Sequence, residues 1–173
     1  NVGRETHTFM YHIYNNYDSL SDITLFAIGS VASSAFGFLK RKKLEYALNN
    51  MSEIDDNGIV FLVHYEPGLK IPYEPNFVIA DWNSTTASNH IHNSKELQPA
   101  SVRPYSKWYN TFIGDEEKIK RHGMSFNSVF GVSSKAIRFH SKDKYKRLVR
   151  ELSFSNPEAG HFLERSIYSM FHF

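Results

Sequence analysis

Hydrophobic residues in this chain recur at a helical period in some stretches and in strand-like runs in others, and the two alternate from end to end. That alternation points to an α/β protein, in which strands and helices interleave in layers. Glu5 to Tyr17 reads as a helix, with Phe9, Ile13 and Tyr17 on one stripe and Met10 and Tyr14 beside them. Asp22 to Ala27 is β-rich and almost continuously apolar, the pattern of a buried strand in a parallel or mixed sheet. Gly29-Ser30 stops it. Lys40 to Met51 predicts an amphipathic helix, with Leu44, Ala47, Leu48 and Met51 on its apolar side. Its opening run Lys40-Arg41-Lys42-Lys43 opposes the helix dipole, so that run is expected partly before the helix. Gly58 to His64 and Asn76 to Asp81 predict further strands, separated by the proline-punctuated segment 67–75, and Phe126 to Val132 predicts a fourth.

The polar segment 83–100 reads as a loop. Pro104 suits the first turn of a short helix carrying Tyr105, Trp108, Tyr109 and Phe112. Ser133 or Ser134 can cap the helix that follows the fourth strand. Tyr145, Leu148, Val149 and Leu152 define another helix. The last one has Asn156 as N-cap, Pro157 at the first position and Glu158 in the first turn. No repeat, low-complexity tract or domain boundary interrupts the chain, and 173 residues fit one domain over 1–173.

Composition removes several classes of function. Aromatic residues make up 15% of the chain, which is ample apolar surface for a packed core and excludes intrinsic disorder. Twenty basic residues against 18 acidic ones leave a net charge of +2, which gives no basis for nucleic acid as a partner. With no cysteine, disulfides, zinc–thiolate sites, iron–sulfur clusters and cysteine nucleophiles are all excluded, and a reducing compartment is suited. The uncharged run from Ile23 to Leu39 is broken by glycines and serines, and no membrane span is expected. No nucleophile elbow, Walker loop or dinucleotide glycine fingerprint is present.

Four groups of residues have the chemistry for a site. At Gly3-Arg4-Glu5 a glycine allows close backbone approach, a helix start favours an anion, and a guanidinium can fork onto a phosphate or carboxylate. The alternative is a solvated ion pair; His7 and His12 follow on the same helix. Asp55-Asp56-Asn57-Gly58 has the composition of a divalent-metal loop, but a tight turn accounts for it better. Asp81 falls at the C-terminal end of a predicted strand, where open α/β sheets place ligands, and His90 and His92 could pair on a metal without a third ligand at convincing spacing. On the last helix, His161, Glu164, Arg165 and Tyr168 share the side opposite the apolar stripe Ala159, Leu163, Ile167 and Met170. That side is either solvated or turned toward a site, and Glu158, His161 and Glu164 would suit a general base beside a histidine.

The opening stretch NVGRETHTFMYHIYNNYDSLSDITLFAIGS resembles the "domain of unknown function 3431" family, whose pattern is an Asn-x-Gly-Arg-Glu loop, a helix, Asn-Tyr-Asp and a strand ending in glycine. SVRPYSKWY, FGVSSKAI and NPEAGHFLERS are similar to later segments of that family, in the same order over nearly the whole chain. Ile28 departs from the family's usual glutamine, and the segment after Gly29 lacks its Pro-Phe-Asp-His character. More distantly, the loop, helix and strand are similar to the centre of the GT-A glycosyltransferases.

That likeness implies a three-layer GT-A-like fold with a mixed sheet and flanking helices, lacking an N-terminal strand–helix–strand unit that would precede Asn1. It implies a nucleotide-sugar donor held by Gly3, Arg4, Glu5, Gly29 and Ser30. A saccharide acceptor would meet Arg103, Trp108 and Tyr109, with Glu158, His161 or Glu164 as base. GT-A enzymes hold Mn2+ or Mg2+ on an Asp-x-Asp pair, but Ala27-Ile28-Gly29 stands in its place and leaves only Asp81 as a metal ligand. The function so implied is transfer of a sugar to a saccharide, in the cytoplasm or a Golgi-type lumen. A non-catalytic glycan-binding module stacking sugars on Trp82, Tyr105, Trp108 and Tyr109 is the alternative, and a metal hydrolase built on Asp81, His90 and His92 a third.

Overall fold

A computed structural model describes residues 3–32, 37–54, 58–60, 71–79, 97–125 and 129–172. The architecture is mixed α/β. Three strands, β1 (Ile23–Phe26), β2 (Ile59–Val60) and β3 (Phe130–Ser133), form a sheet in the order β1-β3-β2. Both ladders are antiparallel, with Ile23 opposite Ser133 and Ile59 opposite Val132. The parallel pairing expected of a mixed sheet is therefore not found among the described strands. Its sequence basis was the unbroken apolar run of β1, and such a run reports burial of both faces, not strand direction. β3, the central strand, is buried at all four positions.

The sheet is covered on both sides. Helix α1 (Arg4–Asn16) sends Phe9 against Phe26 and Phe130, with ring centroids 5.0 and 5.9 Å away. On the other face Gly131 approaches Ile54, which clusters with Ala47 of α2 (Gly37–Asn49). α2 begins three residues before the basic run, so that run lies inside the helix, and Lys43 is buried. Its uncharged first turn removes the conflict with the dipole.

The rest of the chain packs helix on helix. Tyr105–Phe112 (α3) and Glu117–His122 (α4) lean on the last helix, Glu158–Phe171, here α7. Between them run α5 (Ser134–Arg138), capped by Ser133 Oγ accepting from Ala136 N at 3.0 Å, and α6 (Lys142–Glu151), which packs on α1. α7 is the central helix of this core. Of the side read as either solvated or turned toward a site, His161, Arg165 and Tyr168 are all under a tenth exposed, and Glu164 is partly exposed. Its N-cap is Pro157, one residue later than expected, and Pro157 forms a parallel bridge with Gln98, whose N donates to Asn156 O at 3.0 Å and whose O accepts from Glu158 N at 2.9 Å.

Segment 76–79 is not a strand. Its carbonyls and those just before it serve α3 instead: Phe77 O accepts from Tyr105 N at 3.1 Å and Pro75 O from Ser106 N at 2.9 Å. Apolar content alone could not distinguish a strand from a segment that anchors a helix start. No helix among the described residues is long and apolar enough to cross a membrane. The expectations for Asp55, Asp56, residues 61–64, Asp81, Trp82, His90 and His92 lie outside the described residues.

Candidate functional site

The N-terminus of α1 is built on two consecutive left-handed residues, Gly3 at φ 66° and Arg4 at φ 55°. Gly3 N donates to Phe154 O, which ties the helix start to the segment between α6 and α7. For a non-glycine residue such a conformation costs on the order of 1–3 kcal/mol, and such outliers concentrate at functional sites. Here it turns the chain sharply into α1 while the first turn of α7 passes close by. A Cβ on Gly160 would sit 3.2 Å from Thr6 Oγ1, so the absence of a side chain there lets the two helix starts approach.

Where they meet is a cavity of about 20 Å³, lined by Arg4, Glu5, Thr6, Gly160, His161 and Glu164. That is room for about one water molecule or one oxyanion oxygen. One terminal nitrogen of Arg4, Nη2, is buried without a hydrogen-bond partner among the described residues. A buried donor left unpaired costs about 1–3 kcal/mol, and more when charged. The neighbouring His161 is held neutral: burial first, then the Arg4 and Arg165 guanidiniums, push its pKa from 6.5 down to about 3. Arg165 Nη1 donates to His161 O at 2.9 Å, and its guanidinium lies 4.1 Å from the centroid of the Phe77 ring. The cleft thus places two guanidiniums around a neutral imidazole, with the carboxylates of Glu5 and Glu164 at its edge.

A pH dependence follows. The folded pKa of His161 lies below its unfolded value, so above pH 6.5 both states are neutral and the site costs nothing. As pH falls from 6.5 the unfolded chain takes a proton that the folded one refuses, and stability drops toward pH 3. Urea unfolding at pH 7 and 5 is expected to show a smaller loss in His161→Gln than in the wild-type protein; equal losses would refute it.

The structure thus gathers Arg4, Glu5, His161 and Glu164, with Gly3 directly behind them. Other predicted site residues lie elsewhere. Glu158 is fully buried, and its carboxylate accepts from Ile79 N and Ala100 N, both at 2.9 Å, and pairs with Arg103 Nε at 3.0 Å. It is a structural clamp engaged through both oxygens, and Arg103 is its counter-ion. Tyr105, Trp108 and Tyr109 are fully buried and none lines this cavity, although Tyr109 lines a separate one. Trp108 instead donates to Glu151 Oε1 at 3.2 Å. Gly29 and Ser30 lie in a 3-10 turn after β1 and do not line the cavity. Thr6 and Gly160 line the cavity but were not singled out for it, while Arg165, named on the side of the last helix considered for a site, lies beside His161 without lining the cavity. The one signal was Gly160, a glycine in a first helical turn with no turn to justify it.

Among the described residues nothing fits the implied Mn2+ or Mg2+: β1 is followed by Ala27-Ile28-Gly29, which has no carboxylate, and no group of three His, Asp or Glu is placed to hold an ion. Asp81 lies outside the described residues. A family model described as "Protein of unknown function (DUF3431)" matches residues 1–173. No curated protein and no solved structure matches the chain.

Proposed function

The chain belongs to the DUF3431 family, and from the cleft between α1 and α7 we propose that it is a glycosyltransferase-like protein taking its sugar from a nucleotide-sugar. The observation that carries this reading is the buried, unpaired Nη2 of Arg4 in a cavity shared with His161 and Glu164. An unmade charged hydrogen bond beside a helix N-terminus suits an oxyanion of a diphosphate. The cavity takes only that oxygen, which anchors the donor while the sugar lies outside it. In transfer, the bond from the anomeric carbon to the diphosphate oxygen breaks, and that carbon bonds to the acceptor hydroxyl oxygen. Glu164 takes the hydroxyl proton as general base. His161, neutral at pH 7, orients the acceptor by a hydrogen bond.

The missing acidic pair after β1 favours a second reading, in which the cleft binds a sugar or anionic ligand without transfer. A thermal-shift panel of nucleotide-sugars, with and without manganese and followed by product analysis, separates the two. A donor that binds should raise Tm, and Arg4→Ala should weaken its affinity about tenfold, the worth of one charge-assisted hydrogen bond. Glu164→Gln should keep the donor and lose turnover roughly a hundredfold. Stabilisation without product supports the binding module. No stabilisation by any donor, with Arg4→Ala indistinguishable from wild type, would refute both.

A further inference from the structure

The larger cavity lies at the opposite end of α7, about 13 Å along the axis at a rise of about 1.5 Å per residue. It encloses about 340 Å³ and has apolar walls from Tyr109, Ile113, Phe139 and Met170. Two lysines enter it, Lys118 from α4 and Lys144 from α6. Lys144 Nζ donates to Ile113 O at 2.5 Å and lies 2.9 Å from His140 Nδ1. His140 Nε2 is 2.9 Å from Met170 O, which can only accept, so the ring proton sits on Nε2 and Nδ1 accepts from the lysine. Two neutral acceptors thus hold Lys144 in place while one of its three ammonium donors stays unused. Lys118 Nζ reaches only His172 O, at 3.4 Å, and lies 5.2 Å from the Phe139 ring centroid.

Among the described residues no carboxylate lies within ion-pair distance of either ammonium. Asp115 also lines the cavity, but it accepts from Glu117 N at 2.9 Å and forms an ion pair with neither lysine. Two half-buried cations therefore share a largely apolar cavity with no carboxylate in ion-pair contact among the described residues. We propose that this cavity binds a small organic anion, with a carboxylate or phosphate oxyanion between Lys118 and Lys144 and a single-ring body against Ile113, Phe139 and Met170. The charge balance agrees. Burial, then Lys118, then Arg147 lower the pKa of Lys144 to about 8, and burial alone lowers that of Lys118, costs that an anion would offset.

Phenyl phosphate, benzoate and inorganic phosphate, titrated into the whole chain by calorimetry, test the proposal, with benzyl alcohol as the uncharged control. Saturable binding of phenyl phosphate or benzoate is expected, tighter than that of inorganic phosphate or benzyl alcohol. Which of the two aryl anions binds more tightly identifies the head group. Lys144→Met and Lys118→Met keep the stem and remove the charge, and each should weaken binding at least tenfold. In the wild-type protein affinity should fall from pH 7 to pH 9 as Lys144 loses its proton. The other charged or titratable groups facing Lys144 are Lys118, Arg147, Asp115 and His140, and His140, its pKa lowered to about 4, is neutral throughout that range. This wild-type measurement decides the matter even if a variant misfolds. Arg4→Ala should leave the affinity unchanged, since the site does not depend on the α1 cleft. Absence of saturable binding, or binding that both lysine variants retain and Arg4→Ala loses, would overturn it.

Discussion

Glu158→Ala is expected to lower the free energy of unfolding by about 3–5 kcal/mol, the cost of breaking a buried, hydrogen-bonded ion pair from one side. Oε1 accepts from Ile79 N at 2.9 Å and Arg103 Nη2 at 3.2 Å, while Oε2 accepts from Ala100 N at 2.9 Å and pairs with Arg103 Nε at 3.0 Å. Truncation leaves two buried backbone donors unsatisfied and a guanidinium without its partner. Glu158→Gln is also expected to destabilise, because its amide turns a donor toward donors. Arg103→Ala should cost less than Glu158→Ala: the arginine side chain is 38% exposed and the glutamate keeps both backbone partners. Urea unfolding of the three variants checks the order. A loss under 1 kcal/mol for Glu158→Ala, together with a collapse of sugar transfer, would restore this carboxylate as a catalytic base.

That clamp shows why part of the site was legible and part was not. A carboxylate in the first turn of the last helix is visible in sequence, because the helix dipole favours it there. Its partners are 79, 58 and 55 positions earlier in the chain, and no periodicity reports such separations. The same blindness exchanged the roles of the aromatics. Tyr105, Trp108 and Tyr109 read as contacts for a sugar because aromatic faces can stack on one. Instead Tyr105 bonds Ser166 and Tyr109 bonds Ser169, so the small hydroxyls of α7 satisfy phenols inside the core. The apolar stripe of α7 was readable, but its polar side was taken for one uniform face. Packing divides it: Arg165 is enclosed with Phe77 against its guanidinium, and only Glu164 reaches partial exposure.

Strand existence was more legible than strand pairing. β1 falls within the run that predicted it and β3 overlaps its own, ending one residue later at Ser133, since β-branched and aromatic residues suit a pleated, buried surface. Direction depends on what lies between them, and over a hundred residues, β2 among them, separate these neighbours. At the cleft, Arg4 and Glu164 carry chemistry that reads from the residue type alone. Their convergence requires the crossing of α1 and α7, which depends on two glycines at the contact.

Gly3 is the more demanding of the two, and Gly3→Ala is expected to cost about 3–5 kcal/mol. A left-handed conformation costs an L-residue roughly 1–2 kcal/mol, and overpacking typically adds about 1–3. Here the overpacking is severe: a Cβ on Gly3 would fall 2.2 Å from His7 Cβ and 2.3 Å from Leu152 O. The carbonyl is backbone at the end of α6 and cannot rotate aside, so relief requires moving α1 off that segment. The motion would break the Gly3 N to Phe154 O bond and pull Arg4 out of the cleft. Gly29→Ala supplies the control, since nothing lies within 4 Å of its Cβ position, and its stability should change by no more than about 0.5 kcal/mol. Under conditions where Gly3→Ala stays folded, donor affinity should fall at least as far as in Arg4→Ala, because the substitution displaces the same guanidinium. Unfolding midpoints and donor titrations of the two glycine variants check both halves. Equal stability of Gly3→Ala and Gly29→Ala would show that the start of α1 tolerates a side chain against the end of α6, and the cleft would then lose its structural basis.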